Sequence, residues 1–180
     1  MMEKDIAFVI KSEEEIAARV AELADALNKQ YKDKEPVFIG VLKGSFIFMA
    51  DLMRKIDLYC DVDFMAVSSY GSGSVTSGQI KITKDLTLDI KGRHVVVVED
   101  ILDSGLTLDY LKKYLMTKEP ASLSVCALLD KKARRQVDVG ADLIGFNIPD
   151  AFAVGYGLDY AQKYRNLPYI GVLKPSVYSK

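Results

Sequence analysis

At 180 residues, 49% of them apolar and 27% charged, the chain is long enough to bury a full core, so one domain spanning residues 1–180 is expected. Its 25 acidic and 24 basic residues nearly cancel, which argues against a nucleic-acid partner, whose binders carry a basic excess or stripe. The cysteines Cys60 and Cys126 lack metal or redox spacing and read as small buried thiols, and no apolar run reaches signal-peptide or membrane-span length; a cytoplasmic protein with no membrane partner is expected.

In chain order, Ser12-Glu13-Glu14-Glu15 is a capping box, and Ile16, Val20, Leu23 and Leu27 behind it share one helical face. Pro36 precedes a buried strand, Val37–Leu42, then a turn at Lys43-Gly44-Ser45 and a second helix carrying Phe46, Met49, Ala50 and Met53. A strand through Val62–Val67 ends at Ser68-Ser69-Tyr70, where the glycine-serine stretch 71–78 predicts a flexible loop, with a short strand over Gln79–Thr83 beyond it. His94 enters the four-valine strand Val95–Val98, and Leu108, Leu111 and Leu115 predict a helix after it. Further strands are expected at Leu123–Leu129, Leu143–Ile148 and Tyr169–Leu173. Alternation of strands and helices through the first two-thirds predicts an α/β fold with a central, mostly parallel sheet covered on both faces.

The chemistry concentrates in Glu99-Asp100-Ile101-Leu102-Asp103-Ser104-Gly105-Leu106-Thr107, directly after the valines. Two carboxylates at the end of a buried strand cost desolvation unless a cation or hydroxyl groups neutralise them. The loop that follows opens a helix, so it offers backbone amides to an anion; Ser104 and Thr107 add hydroxyls, and Gly105 permits close approach. The plain alternative, a polar turn with Asp103 or Ser104 as a helix cap, leaves the acidic pair unexplained. There is no GxxxxGK[ST] sequence, and Gly71-Ser72-Gly73 lacks the third glycine of a dinucleotide fingerprint.

This succession of hydrophobic run, acid pair and Asp-Ser-Gly-x-Thr resembles the signature with which the type I phosphoribosyltransferases bind phosphoribosyl pyrophosphate. The resemblance implies that family's fold, with a small hood region and a flexible active-site loop. It further implies that Glu99 and Asp100 hold the ribose hydroxyls and act on Mg2+ through its waters. Asp103, Ser104, Gly105, Leu106 and Thr107 would wrap the 5-phosphate, mainly by backbone amides, with Ile101 part of the same wall.

Within the family the sequence is similar to the hypoxanthine-guanine branch. Lys131 matches the lysine that donates to the purine 6-oxo group, although in the run Lys131-Lys132-Ala133-Arg134-Arg135 it also reads as a solvated cation. Phe152 would stack on the purine, and the backbone at Ala153 would pair with the base edge. Asp159 would help position a second Mg2+ near the pyrophosphate, and Arg165 would contact the pyrophosphate itself. Lys43-Gly44 matches the pyrophosphate loop, where relatives carry a cis bond before the lysine; Ser69-Tyr70 matches the closing loop that excludes water. Each has a plainer reading: core aromatic, loop cap, surface cation, glycine turn, hairpin tip.

The implied reaction is displacement at the anomeric carbon, with oxocarbenium character. It needs positioning and electrostatics more than a covalent nucleophile, and Asp103 is the expected general base, facing purine N7. The expected partners are phosphoribosyl pyrophosphate and a 6-oxopurine, in a homodimer or homotetramer. The rival readings are a regulatory protein keeping the donor site, a transferase for another base, and a phosphate-binding module without catalysis.

Overall fold

Ser12 begins the first helix as its sequence dictates. Its hydroxyl accepts from the Glu15 amide at 3.2 Å, and the Glu15 carboxylate accepts from the Ser12 amide at 2.9 Å, at the head of α1 (Glu13–Gln30). Ile16, Val20, Leu23 and Leu27 lie inside with Ala24. Each large aliphatic side chain so buried contributes about 1.5–3 kcal/mol.

The computed structural model describes residues 2–69 and 80–179. Tyr70, the expected loop 71–78 and Gln79 lie outside the described residues.

Six strands form the central sheet: β2 (Val37–Leu42), β3 (Asp61–Ser69), β4 (Ile80–Lys84), β5 (His94–Leu102), β6 (Ser122–Asp130) and β7 (Leu143–Asn147). Their order is β4-β3-β2-β5-β6-β7, parallel throughout except for β4, which runs antiparallel at the edge. Alternate residues feed two cores, as a sheet covered on both faces requires. Phe38, Val96, Val98 and Cys126 pack under α1 and α2 (Phe46–Met53); Val37, Ile39, Val95, Val97 and Val125 pack under α3 (Leu106–Met116) with Leu108, Leu111 and Leu115. Cys126 and the partly buried Cys60 are free thiols, and burial pushes Cys126 up to about 12, which leaves it inert.

Helix α2 differs from the sequence expectation. Its buried residues are Phe48, Met49 and Leu52, whereas Phe46 and Ala50 face outward. The segment is apolar nearly all round, so its periodicity selects no face.

A second, antiparallel sheet of three strands was not foreseen as a unit. It joins β1 (Ile6–Lys11), β9 (Ile170–Leu173) and β8 (Ala153–Val154) in the order β1-β9-β8, with Ile6 opposite Leu173 and Ala153 opposite Val172. This is the hood, and a short helix α4 (Pro175–Tyr178) follows it. Lys174 ties α4 back to the chain start, its amide donating to the Asp5 carbonyl at 2.9 Å and its Nζ to the Lys4 carbonyl at 2.6 Å.

Asp63 pins the sheet edge. Its buried carboxylate accepts from the amides of Phe64 (2.7 Å), Thr87 (2.7 Å) and Leu88 (3.0 Å). Burial alone would raise its pKa, but these donors outweigh it and hold the carboxyl at about 2. A depressed folded pKa gives stability that is present above the ordinary carboxylate range and lost as pH falls toward 2. Asp63→Asn is therefore expected to cost about 2 kcal/mol in urea unfolding near neutral pH, the gap from the parent closing near pH 2. An equal gap at both pH values would show that the charge is not what matters.

Candidate active site

The strand order places the site before any side chain is considered. From β2 the chain moves outward to β3, then returns to β5 on the other side, so β2 and β5 flank a topological switch point. Ligands in open α/β sheets bind beyond the strand carboxyl ends at such a crevice. Here β2 delivers Lys43-Gly44 and β5 delivers the segment beginning at Glu99. The two loops touch: a Cβ on Gly44 would collide with the Asp100 carboxylate, and one on Gly157 would collide with the Gly44 carbonyl. The Leu42–Lys43 peptide is cis, as the family resemblance implied.

Glu99 and Asp100 lie inside β5 rather than after it. The burial alternation of Val95–Val98 changes phase across this pair, since Ile101 packs on the α1–α2 side and Leu102 on the α3 side. Both carboxylates line one cavity of about 230 Å3, together with Ile101, Leu102, Asp103, Ser104, Gly105, Thr107 and Leu108; Leu106 is not in its wall. Burial, then the Asp100 charge, raises the Glu99 carboxyl well above the usual carboxylate range, and Glu99 Oε2 is buried without a hydrogen-bond partner among the described residues. Burial likewise lifts Asp100 to about 6, against the pull of the Ile101 amide and the Arg165 charge. The Glu99 carboxyl is dry and under-satisfied, and Asp100 beside it keeps one accepted bond, from the Ile101 amide at 2.7 Å; the pair suits cations or hydroxyl donors.

The loop has the form of an anion nest. Gly105 takes φ +84° at the N-cap of α3 with no side-chain cap, and a Cβ there would strike Val139 and Arg135. Gly105 thus brings no side chain onto the first-turn amides of α3. Ser104 Oγ accepts a long 3.4 Å bond from the Leu106 amide, so the helix-cap reading is met only by this weak contact.

The basic run divides. Lys132 and Arg134 are exposed, but Lys131 is 5% exposed and its Nζ donates to the Ala151 carbonyl at 2.9 Å. Lys131 Nζ stands 4.0 Å from Asp103 Oδ2 and 3.9 Å from Asp150 Oδ1, while Asp103 Oδ1 is buried and unpartnered among the described residues. Arg135 is a bracket the sequence did not reveal. Its guanidinium pairs with buried Asp130 and donates to the Asp103 carbonyl at 3.1 Å, while the Gln136 amide donates to the Ser104 carbonyl at 2.9 Å. Arg135→Met should therefore lower unfolding stability by about 3 kcal/mol, because it strands Asp130 in the interior. A loss below about 0.5 kcal/mol in urea unfolding would show that the bracket is idle.

At the other end, Asp159 and Arg165 pair at 2.8 Å, and Arg165 Nη1 donates to the Gly157 carbonyl at 2.7 Å. Gln162, also missed, links this pair to the pyrophosphate loop: its amide donates to Asp159 Oδ2 at 2.7 Å, and its side-chain oxygen accepts from Lys43 Nζ at 3.4 Å. Ala161, Gln162 and Tyr164 all have positive φ, which no composition signal announces. Phe152 is partly buried and Ala153 buried in β8. Ser69 ends β3 opposite Ile80. A larger open cleft, about 760 Å3, lies before the amino ends of β2 and β3, lined by Lys32–Glu35 and Ile56–Tyr59, and holds none of these groups.

The donor set suits Mg2+. Among the described residues no three acidic, histidine or cysteine side chains form a metal cage. Mg2+ ordinarily takes one or two carboxylates plus substrate oxygens, however, and the stranded Glu99 Oε2 is a hard donor of that kind.

Comparison with known proteins agrees with this geometry. Residues 9–161 match the family model described as phosphoribosyl transferase domain. The chain is 54% identical over 178 residues, 99% of each chain, to a hypoxanthine-guanine phosphoribosyltransferase of Bacillus subtilis. It is 54% identical over 165 residues, 91% of this chain and 93% of the other, to a hypoxanthine phosphoribosyltransferase of Salmonella typhimurium. A crystal structure of a hypoxanthine phosphoribosyltransferase from Staphylococcus aureus superposes with TM-score 0.96 at 46% identity, over 99% of this chain and 97% of that one. With a switch-point crevice, an acid pair and an amide nest in common order, and matches over nearly its whole length, this chain belongs to the phosphoribosyltransferase family, among the hypoxanthine-guanine enzymes.

Proposed function

We propose that the enzyme transfers the 5-phosphoribosyl group of phosphoribosyl pyrophosphate to hypoxanthine or guanine, giving IMP or GMP and pyrophosphate. The observation that carries this reading is the span from the Glu99–Asp100 cavity through Asp103 to buried Lys131: a sugar-phosphate grip at one end and a buried 6-oxo donor at the other.

In this reading Asp103–Thr107 hold the 5-phosphate through loop amides and hydroxyls. Glu99 and Asp100 accept from the ribose hydroxyls, which relieves their desolvation. Lys43, Gly44 and Arg165 face the pyrophosphate, and Ser69 and Tyr70 belong to the closing loop. Lys131 donates to the purine oxygen, Phe152 stacks on the ring for about 1–3 kcal/mol, and the backbone at Ala153 meets the base edge. Glu99 and Asp100 would act on one Mg2+ through its waters and Asp159 would help position a second near the pyrophosphate, where the metal would neutralise charge.

The bond from the anomeric carbon to the pyrophosphate oxygen breaks with its electron pair leaving on that oxygen. Purine N9 forms the new bond, and Asp103 takes the proton from N7. No covalent enzyme intermediate is needed; the protein aligns the two partners and fixes charge where it develops. We place the enzyme in the cytoplasm as a homodimer or homotetramer; its free thiols suit a reducing compartment, and no helix of the described residues is long and apolar enough to cross a membrane.

The test is incubation of the purified protein with donor, Mg2+ and each of hypoxanthine, guanine, xanthine and adenine, nucleotide formation being followed by absorbance. Turnover of hypoxanthine and guanine, with adenine inert, is expected. Donor binding without turnover of any purine, or turnover of adenine alone, would overturn the reading.

A further inference from the structure

Phe152 does not stand alone. The Tyr178 ring of α4 stacks on it with centroids 5.0 Å apart and planes 26° from parallel. Tyr160 meets its edge at 5.4 Å and 89°, and Tyr160 and Tyr178 approach at 6.5 Å. All three rings border the hood core of Ile6, Val154, Tyr164, Leu167 and Leu173, and none is fully buried. Tyr178 covers one face of the Phe152 ring and Tyr160 meets its edge, so a base that stacks on Phe152 must use the opposite face.

We propose that Tyr178 is a positioning residue for the purine: it backs Phe152 and fixes the ring plane on which the base stacks, making α4 part of the base site. The inference rests on the reading of Phe152 as the base platform. An aromatic side chain next to a backbone of adjustable loops has two χ angles to fix, and a parallel ring at van der Waals distance removes most of that freedom before the base arrives. Tyr178 is itself held. Pro175 opens α4, the Val177 amide donates to the Lys174 carbonyl at 2.9 Å, and Lys174 is bonded to both Lys4 and Asp5. The hood strands thus bring the two chain ends together behind the base, whereas the donor is gripped by loops of the central sheet. A defect in α4 should reach the base and spare the donor.

Steady-state kinetics of Tyr178→Ala tests this, with Tyr178→Phe and Phe152→Ala alongside and the melting temperature and oligomer size of each variant checked. The expected result for Tyr178→Ala is a rise of about three- to tenfold in KM for hypoxanthine, the range of one aromatic pair, with KM for the donor unchanged. Tyr178→Phe, which keeps the ring and removes only the hydroxyl, should restore the base KM. If Phe152→Ala raises the base KM and Tyr178→Ala does not, the inference falls while the base platform stands. If Phe152→Ala leaves the base KM unchanged, the platform reading itself fails. A lower base KM in Tyr178→Ala would mean that Tyr178 competes for the face the base needs, and equal rises for base and donor with a lower melting temperature would reduce it to a structural prop; either result overturns the proposal.

Discussion

Replacing Asp103 with asparagine is expected to lower kcat by about 10²–10⁴, the usual contribution of a general acid or base. The substitution is nearly isosteric, and the parent carboxylate gives the fold little to lose. Its Oδ2 lies 4.0 Å from both Lys131 and Arg134, beyond hydrogen-bond reach, and its Oδ1 has no partner among the described residues. The loop is shaped instead by Arg135 on the Asp103 carbonyl, which asparagine keeps. Melting temperature and donor KM should therefore stay near those of the parent while the chemical step slows. Single-turnover measurements separate the step from product release. A variant with full kcat would remove Asp103 from proton transfer.

Lys131→Ala should act on binding instead. The ammonium group is buried and makes one hydrogen bond among the described residues, to the Ala151 carbonyl, so its other donors can meet an acceptor entering between Asp103 and Asp150. A hydrogen bond from a charged donor contributes about 1.5–3 kcal/mol, so the base KM should rise roughly ten- to a hundredfold. The donor KM should hold if the loop between β5 and α3 grips the 5-phosphate as proposed. Discrimination against adenine should shrink as well, since adenine presents an amino group where the 6-oxopurines present an acceptor. Equal losses for base and donor would show that Lys131 serves the loop's structure and not the base.

How legible this was depended on the range of the interactions. The capping box at Ser12 and Glu15 closes within four residues, and the four valines of β5 carry their own pattern, so both were readable directly. The acid pair and the loop to Thr107 are likewise contiguous. By contrast, β1 exists because Ile6 lies opposite Leu173, and its residues, only one of them buried, give no alternating strand pattern by themselves. Strand β8 has two residues and no periodicity to detect. Helix α2 is apolar on nearly every side, Asp51 apart, which hid the face it buries. Arg135 looked like one more cation in a basic run; only Asp130 beneath it made it a bracket.

The sequence by itself determined the elements that need only near neighbours: α1, the valine strand, the acid pair and the glycine-containing loop that opens α3. Spacing and residue chemistry suffice there, because capping, strand burial and amide presentation are short-range effects. Only the tertiary structure decided that Gly44 sits against Asp100, that Gln162 links Lys43 to the Asp159–Arg165 pair, and that Tyr178 lies on Phe152. The Gly44–Asp100, Lys43–Gln162 and Phe152–Tyr178 contacts join residues far apart in the chain, up to 119 positions for Lys43 and Gln162, and no local propensity encodes them. The first two arise where strands of the central sheet end at one switch point and the third where the hood strands bring Phe152 and α4 together; strand order, not any one segment, fixes which ends meet.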